Sequence, residues 1–159
     1  MTIAVIGCGN LARGDDGVGC EVVAELRRRG LAAEPGVRLL DAGTDGMAVM
    51  FAARGCDTLV LVDACRSGSP PGAVFEVPGG ELERRGEPSL SLHDFRWDHA
   101  VYAGRRMYGE DFPADVVVLL VEAEATAFAL GLSPPVARAA GIVADRVEGL
   151  VRERLREAA

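Results

Sequence analysis

Asp15 and Asp16 stand side by side between two glycines in the stretch GCGNLARGDDGVG, Gly7 to Gly19, and this pattern offers two chemistries. Gly7, Gly9 and Ala12 satisfy G-x-G-x-x-[GA] between an expected strand and an expected helix, and Asp41 closes the next apolar run. Those are the elements of a dinucleotide-binding turn. The two acids oppose that chemistry. They fall at the N-terminus of the following helix, where free N–H groups and the helix field would hold a pyrophosphate. Carboxylates already there repel a dianion by several kcal/mol, at an effective dielectric of about 20. Capping accounts for one of the pair, since Asp is a preferred N-cap. With Gly14 and Gly17 on either side, both carboxylates are expected to be uncovered, and exposed acids on a turn at a strand's carboxyl end suit a cation.

A third acid, Asp63, ends the run LVLVDA, so its backbone lies near the core while its carboxylate is expected to face a cleft. In open α/β sheets ligands bind outside the carboxyl ends of the strands where the winding reverses. If the first and third strands are neighbours, in a 2-1-3 order, Asp63 lands beside the Asp15-Asp16 loop. The alternative is an Asp that caps the turn after its strand. His93, in SLSLHDF, is a lone loop histidine that spacing alone does not assign. His99 follows six residues later, too far round a helix to share a ligand with it, and is expected to be a supporting or surface group. Cys65, two residues after Asp63, raises a thiol hydrolase with His93 as base, but no orienting third group is evident.

Short runs rich in Val, Ile and Leu, at 3–6, 37–40, 59–62 and 116–121, suggest parallel strands covered on both faces. Helical patterns lie between and after them, at 17–29, 46–54, 98–108 and 135–156. A further strand at 73–77 follows RSGSPPG too closely for a crossover helix, so it is expected antiparallel at an edge. The expected fold is therefore a single α/β domain over residues 1–159, three-layered α/β/α. Its sheet is doubly wound and mostly parallel, with five strands and one antiparallel edge. Two stretches, 66–72 and 78–91, remain without regular structure and are long enough to be functional loops.

The chain has 159 residues with 49% apolar content, enough for one core, and 24 acids against 17 bases give a net charge of -7. That balance disfavours a nucleic-acid partner. MTIAVIG has no basic leader or long apolar run, so neither signal peptide nor membrane span is expected, and the cytoplasm is the expected location. Cys8, Cys20, Cys56 and Cys65 form no C-x-x-C pair and read as reduced core thiols.

Taken together, IAVIGCGNLARGDDGVG, LLDAGTDGM, LVLVDA, SLHDF and GLSPPV resemble the hydrogenase maturation proteases, in the family's order and near its spacing. The resemblance implies an endopeptidase that removes the C-terminal extension of a nickel-iron hydrogenase large-subunit precursor after nickel insertion. It implies Asp16, Asp63 and His93 as both metal-binding and catalytic residues of an aspartyl-type endopeptidase. The metal it implies is nickel carried by the precursor, and zinc or cadmium would suit the same borderline donors. The precursor is the implied partner, and the chain is expected to act as a monomer. Asp15 and Asp41 are the candidates for an assisting base. Where relatives often carry a glutamine or proline before a glutamate, this chain has Glu122-Ala123-Glu124, a departure that touches substrate contacts and not the three ligands. A dinucleotide-binding module is the alternative function.

Overall fold

The computed structural model describes residues 1–82 and 96–159. Five strands form one sheet: β1 (Ile3–Cys8), β2 (Val37–Gly43), β3 (Thr58–Cys65), β4 (Val74–Pro78) and β5 (Asp115–Glu122). Their order is β2-β1-β3-β5-β4, with β4 antiparallel to β5 and every other pair parallel. This is the expected doubly wound sheet with its antiparallel edge, except that β2, at the other edge, is not covered on both faces: Arg38 and Asp41 are exposed and only Ala42 is buried. β1 and β3 are neighbours in register, Gly7 opposite Val62, so the winding reverses there and Asp63 emerges beside the glycine loop.

Among the described residues five α-helices accompany the strands: α1 (Val18–Arg28), α2 (Gly46–Ala53), the single turn α3 (Gly79–Leu82), α4 (Trp97–Tyr108) and α5 (Pro134–Glu157). The strands alternate their buried side chains between two cores, as the pleat requires. Val5, Val60, Val62 and Leu119 meet α1 and α5 on one face. Ala4, Ile6, Leu61 and Val118 meet α2 and α4 on the other. That division makes the three layers.

Close contact between α1 and the sheet depends on glycine. A Cβ on Gly19 would fall on the carbonyl oxygens of Cys8 and Val62, and one on Gly9, at φ 128°, would fall on the Asp16 carbonyl. Any side chain at either position would push the glycine loop off the ends of β1 and β3. The loop itself closes with a 3-10 turn, Gly14–Gly17, so α1 begins at Val18 instead of Gly17. Among the described residues no helix is long and apolar enough to cross a membrane.

Candidate functional site

At the carboxyl ends of β1, β2 and β3 a cavity of about 490 Å3 opens, walled in part by Cys8, Asp16, Asp45, Asp63, Arg96 and Trp97. Asp16 and Asp63 therefore do face one space at the switch point. Asp16 is half-buried, and its Oδ2 accepts the Asn10 backbone N–H at 2.9 Å. That N–H is one a phosphate would need, so the loop is already charge-satisfied by its own acid, which argues against the dinucleotide. Asp45 belongs to a different job: its Oδ1 caps α2, accepting from the Met47 and Ala48 N–H groups.

Asp63 is 6% exposed, yet among the described residues its one hydrogen bond at normal length comes from the next N–H, Ala64 to Oδ1 at 2.8 Å. An ionised carboxylate has about four lone-pair directions to fill. Arg96 stands off at 3.8 Å from Oδ2. The Trp97 indole N–H is fully buried and favours the Asp63 charge, but makes no hydrogen bond of normal geometry among the described residues. Burial accordingly raises the Asp63 carboxyl from 3.8 to about 6; Ala64 and Arg96 resist the shift, and the Asp16 charge adds to it. An acid buried with so few donors is destabilised as a free anion and gains most from a cation.

Asp15 is a correction to the sequence expectation. It is not uncovered: it is 1% exposed, and it caps no helix. Its oxygens accept four hydrogen bonds, from the N–H groups of Glu124, Ala125 and Ser133 and from the Ser133 hydroxyl, at 2.7 to 3.0 Å. Burial works against its charge, but these donors outweigh burial and hold its pKa below 3.8. Asp15 thus ties the glycine loop to the segment between β5 and α5. It is not available as a base. Asp41 is exposed and closes its own turn by accepting the Gly43 N–H at 2.9 Å, outside the cavity wall.

Two further groups have roles that spacing did not reveal. Glu122, 3% exposed, accepts the Ser67 and Gly68 N–H groups and the Ser67 hydroxyl, which organises the loop 66–72. The Ser67 N–H leads the causes that lower its pKa below 4.5. The Cys65 thiol donates to the same carboxylate at 3.4 Å and, through burial first and Glu122 second, is pushed up to about 12. A thiol held protonated is a poor nucleophile, so Cys65 does not suit a hydrolase. All four cysteines are free, as expected. His99 is half-buried, and its Nδ1 accepts the Arg96 N–H in the capping box of α4. His93 lies outside the described residues. Among the described residues no group of three or more metal-ligating side chains converges.

Arg13, Arg96 and Trp97 were not singled out in the sequence. Arg96 and Trp97 follow directly on SLHDF and begin a helix, and a cation and an indole at that position were the available signal.

A family model described as hydrogenase maturation protease, HycI, matches residues 20–149. The chain belongs to the hydrogenase maturation protease family. It is 36% identical over 121 residues to the hydrogenase expression/formation protein HupD of Thiocapsa roseopersicina, covering 76% of this chain and 53% of that protein. It is 29% identical over 159 residues to the hydrogenase 2 maturation protease of Escherichia coli strain K12, covering 96% and 92%. The chain spans about half the length of HupD from both Thiocapsa roseopersicina and Bradyrhizobium diazoefficiens. Among solved structures, the hydrogenase maturating endopeptidase HybD of E. coli superposes with a TM-score of 0.82 at 25% identity, over 97% of this chain and 94% of that one. This maturation protease fold is the five-stranded sheet described above.

Proposed function

We propose that this hydrogenase maturation protease homologue is an endopeptidase that removes the C-terminal extension of a nickel-iron hydrogenase large-subunit precursor after nickel insertion. The observation that carries the proposal is the pairing of Asp16 with a buried, under-bonded Asp63 on one cavity at the switch point. Such a pair is a poor resting place for two charges and a good one for a divalent cation. His93, two positions before Phe95 in SLHDF, supplies the imidazole of the set.

Nickel held in the precursor would supply Lewis acidity toward the scissile carbonyl. The residues of this chain do the rest. Asp16 and Asp63 bind the cation and so report that it is loaded; the Ala64 N–H orients the Asp63 carboxylate while Arg96 and Trp97 favour its charge; the Asp15 clamp fixes the loop that presents Asp16. Hydrolysis then adds water across the amide, giving a carboxylate on the retained chain and a free amine on the released peptide. The enzyme acts in the cytoplasm as a monomer in this reading, and zinc or cadmium would fill the same donor set.

The test is incubation of the purified protein with nickel-loaded and nickel-free precursor, followed by mass measurement of the products. Loss of the C-terminal peptide from the loaded form alone is the expected result. Equal cleavage of both forms would show that nickel is not what the cavity reads, and cleavage of neither would reject the peptidase.

A further inference from the structure

Beside the cavity, and sharing Arg13, Asp16 and Arg96 with it, lies a second depression of about 360 Å3 whose wall also includes Arg66 and Thr126. Three guanidinium groups on one mouth are unexpected in a chain of net charge -7. They come from three separate segments: the glycine loop, the end of β3 and the start of α4.

Two of them are held by one residue. Arg13 Nε donates to the Thr126 carbonyl at 3.2 Å, and Arg66 Nη1 donates to the Thr126 hydroxyl at 3.0 Å. Arg13 also stacks on the Phe128 ring, 5.1 Å from its centroid. Each contact uses one donor of a five-donor fork and leaves the others unspent. Among the described residues neither Arg13 nor Arg66 has an acid within ion-pair distance, whereas Arg29, Arg146 and Arg154 on the opposite side of the fold all do. Among the described residues Arg96 has Asp63 as its ion-pair partner, at 3.8 Å.

Charge balance gives these groups a purpose. On the proposed function, a dication engages Asp16 and Asp63 and neutralises them. Among the described residues the three guanidiniums are then left without a counter-charge on the same mouth. Water screens exposed charges, but a docked polypeptide covers the mouth and removes that screening, so the covering chain must bring the anion. Planar, weakly hydrated forks, Arg13 anchored through Nε and Arg66 through one Nη, are suited to a carboxylate.

We propose that Arg13 and Arg66, tethered by Thr126, form a carboxylate-binding subsite for the substrate's C-terminal segment, adjacent to the nickel-reading acids. The carboxylate is an acidic side chain of the extension or its terminal carboxylate. This inference rests on the proposed function. Arg13 and Arg66 position the segment and do not touch the reacting bond.

The test uses the full-length protein and its nickel-loaded precursor. Replacing both arginines, Arg13→Gln with Arg66→Gln, is expected to raise KM about tenfold with kcat within twofold, and to weaken the dependence of KM on salt. Arg66→Lys keeps the charge but loses the fork, and a smaller rise is expected. It also serves if the double variant melts early. Next, acidic residues of the extension are changed one at a time to Lys and paired with Arg66→Glu. Restored KM for one pair identifies a side chain. Rescue by none, with the arginine effect vanishing on a precursor whose C-terminus is amidated, identifies the terminus. Unchanged KM in the arginine variants, or an arginine effect indifferent to every substrate charge, overturns the subsite. Failure of the wild-type protein to cleave would instead reject the proposed function.

Discussion

Two buried aspartates, 48 positions apart in sequence and both at the carboxyl ends of the central strands, have opposite fates. Asp15 is wrapped by four donors and held charged below its ordinary pKa; Asp63 has one good donor among the described residues and is pushed up to about 6. The number of hydrogen bonds, not the depth of burial, separates them. A satisfied buried acid holds the fold together, and an unsatisfied one is a cost that the fold bears for the sake of a ligand.

The largest expected effect comes from breaking the unsatisfied member. Asp63→Asn should reduce precursor processing by more than about 100-fold, as an amide is a far weaker metal ligand. Without metal at pH 7 the same variant should be more stable than wild type, by on the order of 2 kcal/mol, because it no longer buries an under-bonded charge. The sign with pH follows from the raised folded pKa. Asp63 costs stability fully above about pH 6 and not at all below about 3.8, so the gap should close over that window. Urea titrations in chelator at pH 7.5 and pH 4 would check this, and a less stable Asp63→Asn at pH 7.5 would remove the contrast.

Breaking the satisfied member should do the reverse. Asp15→Asn turns an acceptor toward four donors into a group with two donors of its own, and a loss of about 3 kcal/mol is expected. The Asp15 contribution is complete above pH 3.8 and lost as pH falls through its lower folded value. Acid should therefore first relieve Asp63 and then undo Asp15, giving the metal-free protein its greatest stability on the acid side of neutrality as far as these two groups decide it. A monotonic fall of melting temperature from pH 7 to 4 would contradict this.

Glu122→Gln should have a smaller effect of the Asp15 kind. It loosens the loop 66–72 and frees the Cys65 thiol from its acceptor. Proteolysis within that loop should quicken while the melting temperature falls by only a few degrees. Smallest of all, Cys65→Ser should process precursor at close to the wild-type rate, since a thiol held at about pKa 12 contributes no thiolate. A dead Cys65→Ser would return the thiol hydrolase to consideration. Millimolar NAD should leave the melting temperature unchanged, because the Asn10 N–H is already taken by Asp16.

Much of this molecule is legible from its residues. Three parallel strands, β1, β3 and β5, declare themselves as unbroken apolar runs because both faces are covered, and the short RSGSPPG connection fixes β4 as antiparallel because no crossover helix fits in it. The glycine pattern followed by paired acids, with Asp63 after LVLVDA, locates the cavity because position along a strand decides which end a side chain leaves from. The sequence could not distinguish Asp15 from Asp16. Adjacent residues on a tight turn point in different directions, and only the fold brings Glu124, Ala125 and Ser133 to one of them, more than 100 positions away. The same holds for Glu122 with Ser67, and for Thr126 with Arg13 and Arg66. Apolar burial is written locally, in the composition of each run. Which polar group finds which partner is decided by contacts between distant loops, and so by the tertiary structure alone.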